Sequence, residues 1–175
     1  AGGDGTFHAA TQVLADGTSP QLEIGLLPTG TGSDFLRSVA GGTDPASRLA
    51  LALTGTARPM RPIAVDHGAG RCACLNVASV GLSGSLAPRI DAALNRFGRL
   101  GYTWAMIGGI LGYQRLQMTL TADGATVSEG PSWVAVIGSG RFFGGGKMVT
   151  PKADPFGDKL HLVVIGEMGA GAALA

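Results

Sequence analysis

The chain has 175 residues, of which 45% are hydrophobic and only 14% charged, enough apolar material for a real core and too little charge for a disordered chain. A net charge of +1 is too small to imply nucleic-acid binding by electrostatics alone. Thirty glycines, scattered without a collagen-like period, point instead to many tight turns.

The first six residues, Ala1-Gly2-Gly3-Asp4-Gly5-Thr6, place three glycines and one carboxylate directly before a helix-like run from Phe7 to Leu14. Glycine lets a backbone turn tightly and approach a ligand closely, and a helix N-terminus offers unpaired N–H groups to an anion. A phosphate suits that loop. Asp4 would repel a phosphate that it faced directly, so its presence implies a bridging cation such as Mg²⁺ or a hydroxyl partner. Asp16 to Pro20 is a turn cluster, and Leu22 to Leu27 is a short apolar strand. That strand runs into a second glycine loop, Pro28 to Ser33, and then into a helix from Asp34 to Val39. Thr31 or Ser33 is placed to cap this helix, and Asp34 in its first turn suits the helix dipole. The order is βαβ material, with both glycine loops at the carboxyl ends of neighbouring parallel strands, where open α/β sheets bind ligands. Asp44 caps a third helix that starts at Pro45 and ends near Thr54.

Two prolines and two arginines between Arg58 and Pro62 mark a domain boundary, dividing the chain into residues 1–60 and 61–175. Beyond it strands dominate: Ile63 to Asp66, Cys72 to Val80, Leu116 to Ala122, Trp133 to Ile137 and Leu160 to Ile165. Turns at Asp123-Gly124 and at the glycine triplet from Gly144 separate them, and the regular spacing suggests a sandwich or barrel-like β domain. One helical insertion near residues 85–113 interrupts it. Ile90, Leu94, Phe97, Gly101, Trp104, Ile107 and Leu111 recur there at helix spacing, with a break around Gly98. This stripe is either core or a lipid pocket. Arg89, Arg96 and Arg99 lie off it, either as a solvated face or against acidic lipid headgroups.

Cys72 and Cys74 point to one face of a strand, where adjacent thiols bridge poorly, and read as buried free thiols in a reducing compartment. No signal peptide is visible, and the longest apolar run, Leu100 to Tyr113, is shorter than the roughly 20 residues of a membrane span. The absent initiator Met, a first motif that normally follows a strand, and the small-residue tail Gly169 to Ala175 read as a fragment.

Gly2-Gly3-Asp4-Gly5-Thr6 followed by Pro28-Thr29-Gly30-Thr31-Gly32-Ser33-Asp34-Phe35-Leu36-Arg37 resembles the diacylglycerol kinase catalytic domain, more closely its bacterial lipid-kinase branch with relatives of sphingosine and ceramide kinases. Val65-Asp66, Leu75-Asn76-Val77-Ala78-Ser79-Val80-Gly81, Phe142-Phe143-Gly144-Gly145-Gly146, Pro151 and Ala153-Asp154-Pro155 follow in the order of that family, so the resemblance covers essentially the whole chain.

The resemblance implies an α/β plus β fold: part of a Rossmann-like, phosphofructokinase-like nucleotide domain, then a β-sandwich domain, flanking a cleft. It implies ATP-dependent transfer of the γ-phosphoryl group to a lipid hydroxyl, with Mg²⁺. The first loop would run along the ATP phosphates, giving Gly2, Gly3, Asp4, Gly5, Thr6, Phe7, His8, Ala9, Gly30, Thr31 and Asp34 as nucleotide-site residues. Asp154, Asp158 and the Lys159 main chain would hold a structural Mg²⁺ through oxygen donors. The family's general base lies in an Asp-Gly-Glu-type motif nearer the C-terminus, which is expected beyond Ala175. The lipid substrate implies a cytoplasmic protein that touches the membrane peripherally; a homodimer is possible and nucleic acid is not expected.

The chain departs from the family pattern at three places. Ser33 stands where Asn is usual before the second-loop Asp, His8-Ala9 where Asn-Glu often follows the first loop, and Gly157-Asp158 where Asp-Gly is common. His8 is an acid–base candidate or a structural residue, whereas His67 and His161 show no ligand spacing. Phe142 to Lys147 ends in Gly-Lys but lacks the lead-in glycine and the trailing Ser/Thr of a Walker loop, so it reads as a hairpin turn. An NAD kinase-like enzyme and a catalytically inactive nucleotide- or lipid-binding relative are the alternatives.

Overall fold

The structure, a computed structural model of the chain, describes residues 1–15, 23–30, 32–39 and 44–166; within its long helix the side chains of residues 89, 91–103 and 106 are not described. The turn cluster at Asp16 to Pro20, Leu22 and Thr31 therefore lie outside the described residues. By packing, the chain forms two units, and neither is a continuous stretch. Ala1–Ala78 with Ile137–Leu162 make one, and Ser79–Val136 with Val163–Ala175 make the other.

The first unit opens with α1 (Asp4–Ala15). This helix begins three residues before the expected Phe7, because the Phe7 N–H donates to the Gly3 carbonyl at 3.1 Å and so recruits Asp4, Gly5 and Thr6 into the first turn. Only Gly2 and Gly3 remain as loop. The expected strand from Leu22 to Leu27 is reduced to a parallel bridge between Gly2 and Pro28. Gly2 donates to the Leu27 carbonyl at 3.0 Å and accepts from the Thr29 N–H at 3.2 Å, while Glu23 to Leu27 adopt no ladder of their own. The bridge is parallel, as the βαβ reading requires.

Helix α2 (Asp34–Val39) follows, and four of its six residues are buried. Helix α3 (Pro45–Thr54) starts as expected, with Asp44 accepting from the Ser47 N–H at 2.9 Å and Pro45 at the first position, where its missing donor has no consequence. Phe7, Phe35, Leu36 and Leu75 form a core cluster, with Leu26, Val39 and Met60 packed against it. Leu36 is completely buried.

Strand β1 (Ile63–His67) pairs antiparallel with β2 (Gly70–Cys74), Ile63 opposite Cys74 and His67 opposite Gly70. The exposed cross-strand pair Asp66–Arg71 adds a two-pronged ion pair at 2.6 and 2.9 Å. Gln12 of α1 reaches the same hairpin: its side-chain amide donates to the Ala73 carbonyl and accepts from the Ala73 N–H at 2.8 Å. Cys72 and Cys74 are free, half-buried thiols on one side of β2, and burial raises the Cys74 pKa.

The expected single strand Cys72 to Val80 is two strands, β2 and β3 (Val77–Gly81). The chain leaves the ladder between them because Asn76 turns its carbonyl to the N–H groups of Ser139 and Gly140, both at 3.0 Å, and Leu75 accepts from the Ser139 hydroxyl at 2.8 Å.

After β3 comes α4 (Leu82–Leu111), an unbroken helix of 30 residues. The expected break at Gly98 is absent. A glycine lowers helix propensity by about 1 kcal/mol but keeps its N–H, so the hydrogen-bond ladder runs through it. Strand β4 (Leu116–Ala122) is joined to β5 (Ala125–Ser132) by the expected Asp123-Gly124 turn. Both turn residues have positive φ, 49° and 81°, as a two-residue hairpin of this hand requires. The sequence reading missed β5, whose Gly130 and Pro131 dilute the strand pattern.

The remaining strands are β6 (Val134–Gly138), β7 (Phe142–Phe143), β8 (Lys147–Met148) and β9 (His161–Ile165). Strands β7 and β8 form a small hairpin around the glycine triplet. A three-stranded sheet has the order β3-β6-β9, and each of its strands has residues in both units. In the second unit Trp133 stacks on Tyr113 with ring centroids 5.8 Å apart. Burial raises the Tyr113 pKa.

Leu36→Ala should lower unfolding stability by about 2–5 kcal/mol, because the site is fully enclosed and collapses poorly. Thermal or urea denaturation measures it, and a loss below about 1 kcal/mol would mean that this cluster is not the core of its unit.

Candidate functional site

The bridge between Gly2 and Pro28 brings the two glycine loops side by side. Their contact is backbone on backbone. A Cβ built on Gly30 would lie 2.5 Å from the Gly3 Cα, so no larger residue fits between the loops.

Asp4 then crosses from one loop to the other. Its two carboxylate oxygens accept from the N–H groups of Asp34 and Phe35, each at 3.0 Å, and so cap α2 from outside. Of the two predicted caps, only Ser33 lies within the described residues, and it does not act in this way. Thr31 is outside the described residues, and the Ser33 hydroxyl turns back to the Gly30 carbonyl at 3.2 Å, with Ser33 itself at φ 52°. A carboxylate at a helix N-terminus satisfies orphan donors and opposes the positive end of the helix dipole. The partner inferred for Asp4 from sequence was a cation or a hydroxyl; among the described residues it is this pair of amides.

Asp34 repeats the arrangement one step further on. It is buried, and its carboxylate accepts from the N–H of Gly145 at 2.8 Å and of Gly146 at 2.6 Å. Those amides belong to the triplet between β7 and β8, whose three glycines all have positive φ: 69°, 84° and 96°. Side chains would strain that backbone, and the space beside Gly144 and Gly145 is open. Two carboxylates thus tie together three glycine segments, around residues 3, 30 and 145.

Further polar residues, none singled out from sequence, fix the surroundings. The Ser38 hydroxyl accepts from the Arg141 N–H at 2.8 Å, and the Arg141 guanidinium donates to the Ser38 carbonyl at 3.2 Å. Asn76 donates through its side-chain amide to the Phe142 carbonyl at 2.8 Å. Arg37 lies exposed beside the triplet, its Nε donating to the Gly32 carbonyl at 3.3 Å. Asn76 and Arg37 stood within the motifs read from sequence, but nothing in a motif reports which carbonyl a side chain will meet.

Of the other predicted site residues, Gly5 and Thr6 lie in the exposed first turn of α1, with open space around Gly5. The Phe7 side chain is buried in the core, so only its main chain can face a ligand. His8 is exposed, with the Gln12 amide 3.3 Å from its ring nitrogen. Asp154 sits in a turn that it stabilises itself, accepting from the Phe156 N–H at 3.0 Å through its side chain and from the Gly157 N–H at 2.9 Å through its carbonyl. Asp154, Asp158 and Lys159 are exposed, and their donors are all oxygen, the chemistry that a hard cation takes. Among the described residues no group of three or more His, Cys, Asp and Glu side chains gathers as a metal site.

A glycine-loop α/β unit whose carboxylates hold loop amides is followed in the chain by a region of β-strands and one long helix. The chain belongs to the diacylglycerol kinase catalytic-domain family, in its YegS-like branch: the diacylglycerol kinase catalytic domain profile matches residues 1–65 and the YegS C-terminal NAD kinase beta sandwich-like domain profile matches residues 76–175. Its fold is accordingly α/β plus a β-sandwich-like domain. A protein of Stenotrophomonas maltophilia named "Probable lipid kinase YegS-like" is 31% identical over 159 residues, covering 87% of this chain and 50% of that protein. A namesake from Cronobacter sakazakii is 31% identical over 169 residues, covering 93% and 54%. A crystal structure of a diacylglycerol kinase from Bacillus anthracis str. Sterne superposes with a TM-score of 0.68 at 20% identity, over 98% of this chain and 55% of that one. The chain spans about half the length of the relatives it matches.

Asp34→Asn replaces one acceptor oxygen by an amide NH₂ that opposes the glycine N–H groups. It should speed hydrogen exchange at Gly145 and Gly146 and lower stability by about 1–3 kcal/mol. Unchanged exchange at both amides would show that the carboxylate does not hold the triplet.

Proposed function

We propose that the protein is a lipid kinase, transferring the γ-phosphoryl group of ATP to the hydroxyl of a diacylglycerol-like lipid. The observation that carries this reading is the pair of carboxylate bridges, Asp4 to α2 and Asp34 to the glycine triplet, within a chain of the diacylglycerol kinase family. Such a site suits phosphoryl transfer, in which the protein mainly positions the reactants and stabilises charge.

In this reading the ATP phosphates run along the first turn of α1. Asp4, Gly5 and Thr6 precede the first intrahelical bond there, and their N–H groups point out of the helix end. Gly3 and Gly30 allow the backbone to come close to the phosphates, with His8, Ala9 and Thr31 beside them. Asp4 and Asp34 act by holding the loops in place, because both oxygens of each already accept main-chain amides. Mg²⁺, when bound, supplies positive charge against the phosphates; Asp154, Asp158 and the Lys159 main chain are the residues that would hold a structural ion.

The lipid substrate calls for contact with a membrane surface. No described helix is long and apolar enough to cross a membrane, and the contact proposed is peripheral. The exposed indole of Trp104, with Leu111 seven residues on along α4, offers an interfacial anchor.

The decisive assay supplies radiolabelled ATP to the longer protein that carries this chain, with diacylglycerol and NAD as parallel acceptors. Label should appear on the lipid; label on NAD alone would overturn the proposal in favour of an NAD kinase-like enzyme, and label on neither in favour of a binding relative. Membrane contact has its own readout, since the chain has two tryptophans: Trp104 is 73% exposed and Trp133 only 5%. Anionic vesicles should shift the Trp104 emission to the blue, and Trp104→Phe should abolish the shift.

A further inference from the structure

We propose that Arg37 recognises phosphate, an inference that rests on the kinase reading above and names a residue for it. Asp4 and Asp34, the two carboxylates nearest the glycine loops, hold pairs of main-chain amides and no cation among the described residues. Arg37, at the junction of these loops, makes no ion pair among the described residues. It is exposed, and a Cβ on Gly146 would lie 3.6 Å from its Cζ, so the guanidinium runs along the triplet backbone. Its Nε donates to the Gly32 carbonyl at 3.3 Å, which tethers the group to the second glycine loop. Gly32 in turn abuts Asp4, since a Cβ there would lie 3.1 Å from Asp4 Oδ2.

The two terminal nitrogens have no partner among the described residues. They present the paired N–H donors that grip a phosphate in bidentate fashion, which a lysine cannot reproduce. The open, side-chain-free backbone at Gly144 and Gly145 leaves room for such a group to approach. The phosphate has two sources, the triphosphate tail of a nucleotide or the headgroup of a phosphorylated lipid.

Calorimetric titration of the longer protein that carries this chain separates them, with ATP, inorganic tripolyphosphate and phosphatidic acid vesicles as probes. Arg37→Met should weaken binding by about tenfold or more. Arg37→Lys should fall in between, and Arg115→Met, an exposed arginine outside this unit, should match the wild type. Loss for ATP and tripolyphosphate supports phosphate recognition with the nucleotide as source, and loss for phosphatidic acid alone supports it with the lipid as source. Wild-type affinity of Arg37→Met for every probe that the wild type binds overturns the role of Arg37 and leaves the kinase reading standing. A longer wild-type protein that takes up none of the probes overturns both. Melting curves of Arg37→Met and Arg37→Lys guard against misfolding, and a folded Arg37→Lys alone suffices for the comparison.

Discussion

The carboxylate of Asp4 is the interaction on which the first unit depends. Helix α2 is only six residues long, too short to be stable in water by itself, and among the described residues no side chain of its own flanks caps it. Its position is set from a distance of thirty residues by an aspartate in the first turn of another helix. That arrangement makes the entry of α2 and the start of α1 a single structural element. It also explains why Gly3 and Gly30 must touch, since the carboxylate reaches the amides of α2 only if the loops meet backbone to backbone.

The consequence passes along the chain. Once α2 is seated, Phe35 and Leu36 enter the core and Asp34 is delivered to the glycine triplet more than a hundred residues later. Ser38, one turn on, fixes the main chain of Arg141, and Asn76 fixes that of Phe142, so the triplet's hairpin is held on its approach side as well as at its tip. The donors in this network are neutral or charge-assisted, and two of its buried atoms, Asn76 Oδ1 and Arg141 Nε, have no hydrogen-bond partner among the described residues.

Much of this was legible in the sequence. The glycine loops, the cap at Asp44 and the Asp123-Gly124 turn were read from local chemistry, because turn residues and caps act within a few positions of themselves, and the family was read from its resemblance in motifs. The helix start at Asp4 was missed because glycines mark loops and first turns alike. The continuity of α4 through Gly98 was missed for a related reason: a propensity penalty of about 1 kcal/mol is small against the rest of a 30-residue helix, which also accommodates Pro88. The partners of Asp4 and Asp34 were not legible at all. Both were recognised as site residues, yet a carboxylate in a glycine loop carries no mark that distinguishes an amide thirty residues away from a metal ion. The split at Leu75-Asn76 was hidden likewise, because an apolar alternating run does not show where its carbonyls leave the ladder.

The side chain of Gln12 has a consequence for how the molecule behaves in company. Ala73 lies on the side of β2 away from its hairpin partner's hydrogen bonds, where a strand edge would otherwise offer an N–H and a C=O to any passing chain. A single primary amide, carrying the same donor and acceptor as a peptide group, occupies both. Gln12 is in effect a one-residue counterfeit strand. It closes that edge to intermolecular β-pairing, a protection that other sheets obtain from a lysine, a proline or a bulge.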